Sequence, residues 1–157
     1  MKYKCALFVV DNMEKAKNFY IEILGQEIKY DFGESVTFEG GFAIHEKAHF
    51  SYLLGGLAIH KNPNNSELYF EYDDLEQLEN KLEKEKVEFI HQVKEQPWRQ
   101  KVLRFYDLDK NIIEVGESLE HLVYRLWNEG KNYEEIAKIT DMDNEFVEKS
   151  IKKFSRR

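Results

Sequence analysis

The stretch VVDNMEKAKNFYIEILG, residues 9–25, joins the end of an apolar, β-prone run over residues 3–10 to a helical pattern. Asp11 and Glu14 fit a capping box at the start of that helix, and Gly25 stands where helices commonly end in a left-handed glycine. Between them, apolar side chains recur at helical spacing: Met13, Ala16, Phe19, Tyr20 and Ile23. The sequence therefore predicts a strand followed at once by an amphipathic helix over residues 11–25.

The same order of elements returns in the second half of the chain. Three short strands with glycine punctuation follow the helix: QEIKYDF, SVTFE and GFAIHE. SELYFEYD (66–73) then predicts a strand, DLEQLENKLEKEK (74–86) a helix capped by Asp74 and Gln77, and VEFIHQV, RQKVLRFY and NIIEVGE three more strands. We therefore expect an α+β fold with two βαβββ modules, residues 3–46 and 66–117, forming a cupped mixed sheet around a pocket.

Composition narrows the functional class. The chain has 157 residues, enough for one domain and a small appendage, and its net charge is −7. The acidic excess lies in residues 1–117, which disfavours general binding of nucleic acid. A single cysteine, Cys5, excludes an internal disulfide framework. The start of the chain is too short and too charged for a signal peptide, and no apolar run is long enough for a membrane helix, so we expect a cytoplasmic protein.

Three runs together point to a known family. The stretch 9–25, ELYFEYDDLE (67–76) and PWRQKVLRFYDLDKNIIEVGE (97–117) resemble the glyoxalase/bleomycin-resistance/dioxygenase family, or vicinal oxygen chelate superfamily, over residues 3–117. The resemblance implies a small-molecule site between paired modules and often a homodimer. The family includes metal-dependent isomerases, dioxygenases and thiol transferases, and also metal-free proteins that sequester a drug. Fold therefore does not settle function.

The resemblance implies four positions for metal ligands, here Lys4, His45, Glu67 and Glu114. His45, Glu67 and Glu114 could ligate a divalent ion. An ammonium group, however, has no lone pair and repels a divalent cation at close range. We therefore favour a cavity without the usual metal, in which Lys4 replaces the metal's charge and pairs with Glu67, Glu114 or both.

Other candidate pocket residues follow from strand alternation and position. Phe8 shares a face with Lys4, and Tyr69 and Glu71 share a face with Glu67, so these polar rows are expected to face the cavity. Phe8 and Tyr69 could stack on a ligand or fill the core. Trp98 could form an aromatic wall of the pocket, or it could be a packing tryptophan in a loop.

The turn DLDK (107–110) stands where the family usually has DPDG. If the hairpin keeps that turn's one-residue bulge, Arg104 lies directly across from Glu114. Lys110 then adopts a left-handed backbone conformation, which costs about 1 kcal/mol of strain. In the other register Arg104 faces away. Arg99 likewise stands where a glycine is usual in PWGQ-like runs.

Residues 118–157 depart from the minimal family fold. They predict three helices, with Asn132 and Glu135 as a capping pair and a start near Asp143 for the last helix. Their order resembles a helix-turn-helix module, but the segment carries eight basic and eight acidic residues. We therefore favour a helical extension that packs or stabilises a dimer over a reader of DNA.

The leading hypothesis is a small-molecule-binding protein of the glyoxalase/bleomycin-resistance type, with no cofactor. One alternative is a divalent-metal-dependent lyase, isomerase or dioxygenase, with His45, Glu67 and Glu114 as ligands and Lys4 swung aside or acting as a base. A second alternative is a ligand-responsive DNA-binding regulator that uses the C-terminal helices.

Overall fold

A computed structural model describes residues 1–60 and 64–155 and contains two four-stranded mixed sheets and a C-terminal helical region. The first sheet comprises β1 (Ala6–Val10), β2 (Ile28–Asp31), β3 (Ser35–Phe38) and β4 (Phe42–Glu46) in the order β1-β4-β3-β2. The second comprises β5 (Glu67–Glu71), β6 (Phe89–Glu95), β7 (Lys101–Tyr106) and β8 (Ile112–Gly116) in the order β5-β8-β7-β6. The predicted α+β fold of two βαβββ modules is confirmed.

The first crossover helix departs in detail from the predicted one. Helix α1 (Met13–Asn18) is capped by Asn12, whose side chain accepts a hydrogen bond from Lys15 N–H, and not by Asp11. It continues as a π-helical turn, Phe19–Ile23, and the chain then turns at Gly25 with φ +63°, as predicted. This crossover makes β1 parallel to β4, with Val9 opposite His45.

The predicted strand over 3–10 is shorter than expected, because β1 begins only at Ala6. Lys4 therefore precedes the strand and is exposed. A short helix after β4, α2 (Lys47–Leu53), has no counterpart in the predicted elements. Its N-cap is Glu46, whose carboxylate accepts from the N–H groups of Ala48 and His49.

The second crossover helix follows its prediction closely. Helix α3 (Leu75–Lys84) is capped by Asp74, which accepts from Gln77 N–H. Its apolar stripe of Leu75, Leu78 and Leu82 is buried.

The C-terminal extension contains α4 (Leu119–Asn128), α5 (Tyr133–Thr140) and α6 (Asn144–Phe154). The capping box of Asn132 and Glu135 and the cap at Asp143 form as predicted. The three helices share a buried cluster of Leu122, Val123, Leu126, Ile136, Val147 and Ile151. None of the helices in the described part of the chain has the length and apolar character needed to cross a bilayer.

Contacts group the chain into two compact units. The first contains residues Met1–Leu68 and Tyr106–Ile112, and the second contains Tyr69–Phe105 and Ile113–Arg157. In the first, the rings of Tyr20, Phe38 and Phe42 form an aromatic core with centroids 4.7–5.5 Å apart. In the second, Leu103 and Phe105 on β7 are fully buried.

Candidate ligand-binding site

A polar row crosses three strands of the second sheet. His91 on β6 is the register partner of Arg104 on β7. Arg104 Nη1 lies 3.3 Å from His91 Nε2, and Arg104 Nη2 contacts Glu114 Oε2 on β8. The Glu114 side chain is 7% exposed, and its Oε2 meets Arg104 as an ion pair without hydrogen-bond geometry. This contact is the one expected of the bulged hairpin register.

The hydrogen bonds of His91 define how its ring takes part in this row. Its Nδ1 lies 2.9 Å from the carbonyl oxygen of Gln92, which can only accept, so Nδ1–H is the donor. The other ring nitrogen, Nε2, is therefore the acceptor for Arg104 Nη1. The guanidinium thus contacts an imidazole on one side and a carboxylate on the other.

The turn between β7 and β8 is held by Asp107. Its Oδ1 accepts from the N–H groups of Asp109 and Asn111, and its Oδ2 accepts from the Tyr20 hydroxyl at 2.8 Å. Burial, and then the charge of Asp107, raises the pKa of Tyr20 well above its usual value, so the phenol remains a donor. Lys110 has φ +68°, which confirms its predicted left-handed conformation.

The Tyr69 ring and the Gln100 amide lie on the same face of the sheet as this row. Gly116 is two residues from Glu114 on β8, so the two share a face. A Cβ at Gly116 would meet Gln100 Nε2 at 3.0 Å and Tyr69 Oη at 3.1 Å. Tyr69 and Gln100 therefore lie on that face, and only glycine leaves room for them.

Gln100 links the aromatic rings. Its buried amide Nε2 donates to Tyr69 Oη at 3.0 Å, and its Oε1 accepts from the Trp98 indole N–H at 3.0 Å. The Tyr69 hydroxyl is 3.3 Å from Glu71 Oε1. Burial raises the pKa of Tyr69, although the hydrogen bond from Gln100 opposes that shift. Tyr69 and Trp98 are 47% and 49% exposed, so both rings can contact a ligand. We call the surface formed by His91, Arg104, Glu114, Gly116, Tyr69, Gln100 and Trp98 the Arg104 face.

The remaining predicted site residues have separate surroundings. Phe8 is half-buried and lines a cavity of about 350 Å³ in the first unit, with Leu7, Ile59, His60 and Asp109 among its other walls. Glu67 and Glu71 are exposed on β5. The predicted pairing of Lys4 with Glu67 or Glu114 stays a prediction.

His45 is buried on β4 and pairs with a second histidine. Its Nε2 is 2.9 Å from His49 Nδ1, and the two rings stack at 5.1 Å. Burial, reinforced by the neighbouring His49, lowers the pKa of His45. This histidine pair belongs to the first unit.

The surroundings of the Glu114 carboxylate do not fit a metal ion. A divalent cation at Oε2 would meet the Arg104 guanidinium at ion-pair range, and two cations on one carboxylate oxygen repel. Within residues 1–60 and 64–155, no three or more His, Cys, Asp or Glu side chains are grouped so that they could hold a metal.

Sequence reasoning placed His91 at the surface because no spacing around it indicates a site, and in the structure a bulge also changes its face. Phe89 pairs with Phe105 and His91 with Arg104, so the register shifts between them. Strict alternation places Phe89 and His91 on one face, whereas the extra residue turns His91 towards Arg104. The bulge leaves no recognisable residue signal.

The comparisons with known proteins agree with this architecture. The model of the glyoxalase-like domain family matches residues 3–120. A crystal structure of a protein of unknown function from Agrobacterium tumefaciens str. C58 is 38% identical, with a TM-score of 0.68, and the match covers 75% of this chain and 94% of that one. No curated protein matches the chain.

More distant solved structures share the fold alone. Lactoylglutathione lyase from Agrobacterium tumefaciens is 20% identical, with a TM-score of 0.55 and coverage of 72% of this chain and 90% of that one. The fosfomycin resistance protein FosX from Listeria monocytogenes is 17% identical, with a TM-score of 0.58 and coverage of 78% and 98%.

Proposed function

This chain belongs to the glyoxalase-like family, within the glyoxalase/bleomycin-resistance/dioxygenase superfamily, and from that premise we propose that it binds a small organic molecule on the Arg104 face without a metal at Glu114. The observation that carries the proposal is the contact between Arg104 and Glu114. A buried carboxylate needs a compensating charge, and the guanidinium provides it from within the protein.

The chemistry of the Arg104 face defines the class of ligand. Trp98 and Tyr69 offer two half-exposed rings on which a flat or partly apolar molecule can stack. The hydroxyl oxygen of the half-exposed Tyr69 side chain, held in place by the Gln100 amide, adds a polar group that can orient such a ligand. We therefore expect a small planar molecule that carries at least one hydrogen-bonding group.

The known relatives support binding of a small molecule as the common role. One solved neighbour is a lactoylglutathione lyase and another a fosfomycin resistance protein, so the fold accommodates different chemistries. A metal-dependent lyase, isomerase or dioxygenase is the competing function. The homodimer implied by the family resemblance and the cytoplasmic location expected from the sequence are part of the proposal.

A fragment screen followed by 1H–15N NMR tests the proposal. Planar fragments that bind should shift the indole signal of Trp98 and the side-chain amide signals of Gln100. Trp98→Ala should weaken the same fragments by about five- to tenfold, since stacking on one ring is worth about 1–1.5 kcal/mol. Trp127→Ala, in the C-terminal extension, is the matched control and should leave binding unchanged. Fragments that bind equally well to the Trp98→Ala variant would contradict the assignment of the site.

A further inference from the structure

We propose that Arg125, on α4 of the C-terminal extension, is a positioning residue for the Arg104 face, because it holds the loop that carries Trp98. The inference rests on the proposed function of that face. Arg125 Nη2 donates to the backbone carbonyl of Arg99 at 2.6 Å. Its side chain is 15% exposed and also forms ion pairs with Glu117 and Glu129.

The loop that Arg125 contacts, residues 96–100, has a demanding conformation. Gln96 N–H donates to Gln100 O at 2.8 Å and Arg99 N–H donates to Gln96 O at 2.8 Å, so the loop closes on itself between β6 and β7. Arg99 has φ +71°, a left-handed conformation that costs a non-glycine residue roughly 1 kcal/mol. A loop with this strain needs external contacts to keep one conformation.

The extension supplies those contacts at two points. Arg125 binds the carbonyl of Arg99, and Glu129, the C-cap residue of α4, accepts from Arg99 Nη2 at 3.1 Å. The Arg99 Nε atom also pairs with Glu95 at 2.6 Å. Both the backbone and the side chain of Arg99, the neighbour of Trp98, are therefore held by α4.

A second route runs from Arg125 through Glu117 to the same aromatic rings. Glu117 is 1% exposed, and its carboxylate accepts from Arg125 Nη2 at 2.8 Å and from His121 Nδ1 at 2.8 Å. The backbone carbonyl of Glu117 accepts from Gln100 Nε2 at 2.6 Å. The Gln100 amide also donates to the Tyr69 hydroxyl, and its oxygen accepts from the Trp98 indole N–H. The position of Glu117 therefore fixes the positions of both aromatic rings.

The exposed side of the extension is consistent with this role. On α6, Lys149 pairs with Glu145 and Lys152 pairs with Glu148. These cations are already neutralised within the helix, which leaves a face poorly suited to phosphate groups.

Fluorescence of the full chain tests the inference without any ligand. The chain has two tryptophans, so Trp127→Phe leaves Trp98 as the sole reporter. In that background, Arg125→Met should release the 96–100 loop and raise the acrylamide quenching constant of Trp98 about twofold. Lys153→Met, which removes the ion pair between α6 and Glu120, is the matched control and should leave the quenching constant unchanged.

Gln100→Met provides the second variant, because it removes the amide while Arg125 stays in place. It should raise the quenching constant as Arg125→Met does. A purely structural role for Arg125 would lower the thermal midpoint but leave the Trp98 quenching constant equal to that of the background, and this result would overturn the inference. Failure of the fragment screen, with the quenching change present, would reject the proposed function and leave the positioning role standing.

Discussion

The guanidinium of Arg104 on β7 contacts the buried carboxylate of Glu114 on β8, and the second nitrogen of the same guanidinium contacts His91 on β6. The family resemblance predicts a metal-ligand position at Glu114. In this chain a protein cation lies beside that carboxylate, and the Arg104 guanidinium compensates its charge.

Arg104→Met should destabilise the protein by about 3 kcal/mol, because it leaves Glu114 buried without a compensating charge. Glu114→Gln added to Arg104→Met should recover most of that loss. Denaturation in urea of the four proteins of the cycle measures the coupling. Lys149→Met, which breaks an exposed pair on α6, is the control and should change the free energy of unfolding by less than about 0.5 kcal/mol. Additive single effects at Arg104 and Glu114 would show that the contact is energetically irrelevant.

The conformation of Lys110 predicts an unusual preference for glycine. Lys110→Gly and Lys110→Ala both remove the contact of the ammonium with the Tyr106 ring, 5.0 Å away. Only glycine relieves the left-handed backbone, so the Gly variant should be more stable than the Ala variant by about 1 kcal/mol. Thermal unfolding of the pair measures the difference. Equal stability would mean that the turn does not hold Lys110 at positive φ.

Gly116→Ala should displace the aromatic rings of the Arg104 face. The new Cβ would lie within 3.1 Å of Gln100 Nε2 and Tyr69 Oη, which is tighter than ordinary contact. We expect a loss of about 1–3 kcal/mol in the free energy of unfolding and a shifted Trp98 emission maximum. In the double variant with Tyr69→Ala, the loss in the free energy of unfolding should be smaller, because removal of the Tyr69 ring leaves room for the new Cβ at Gly116. An unperturbed spectrum would place Tyr69 away from Gly116.

The Glu117 carboxylate predicts a specific acid sensitivity. Burial alone would raise its pKa, but hydrogen bonds from His121 and Arg125 and from Lys101 N–H outweigh burial and lower the pKa from 4.5 to about 2. Because the pKa of Glu117 is lower in the folded state than in the unfolded state, the ionised carboxylate stabilises the fold fully above pH 4.5. This stabilisation is lost as the pH falls from about 4.5 towards 2. The loss is up to about 3 kcal/mol.

Glu117→Gln should therefore flatten the decline in stability between pH 5 and pH 2.5, measured by urea unfolding at each pH. Glu145→Gln serves as the control, since Glu145 pairs with Lys149 on the exposed side of α6. A Glu117→Gln protein whose stability falls with pH as steeply as the parent would contradict the assignment.

Local patterns in the sequence predicted much of the fold and less of the site. The two βαβββ units, Gly25, the Asp74 cap and the left-handed Lys110 all follow from spacing and turn chemistry. Helix α2 escaped prediction because it is short and is capped by Glu46, a residue type that rarely caps.

The missed parts of the site depend on contacts that no local pattern encodes. The bulge before His91 changes which face that side chain occupies. The contacts of Arg125 with Glu95, Arg99 and Glu117 join residues 8 to 30 positions apart in the chain, through a backbone carbonyl and two carboxylates whose geometry exists only after folding.

The most direct test of the central claim is the metal content of the protein purified without chelator, measured by mass spectrometry beside Glu114→Gln and Arg104→Met. If Arg104 is the partner of Glu114, the parent protein should contain substoichiometric divalent metal, and Glu114→Gln should contain the same amount. One equivalent of a divalent metal in the parent, lost in Glu114→Gln, would show that Glu114 faces a metal ion and would contradict the assignment of Arg104 as its partner.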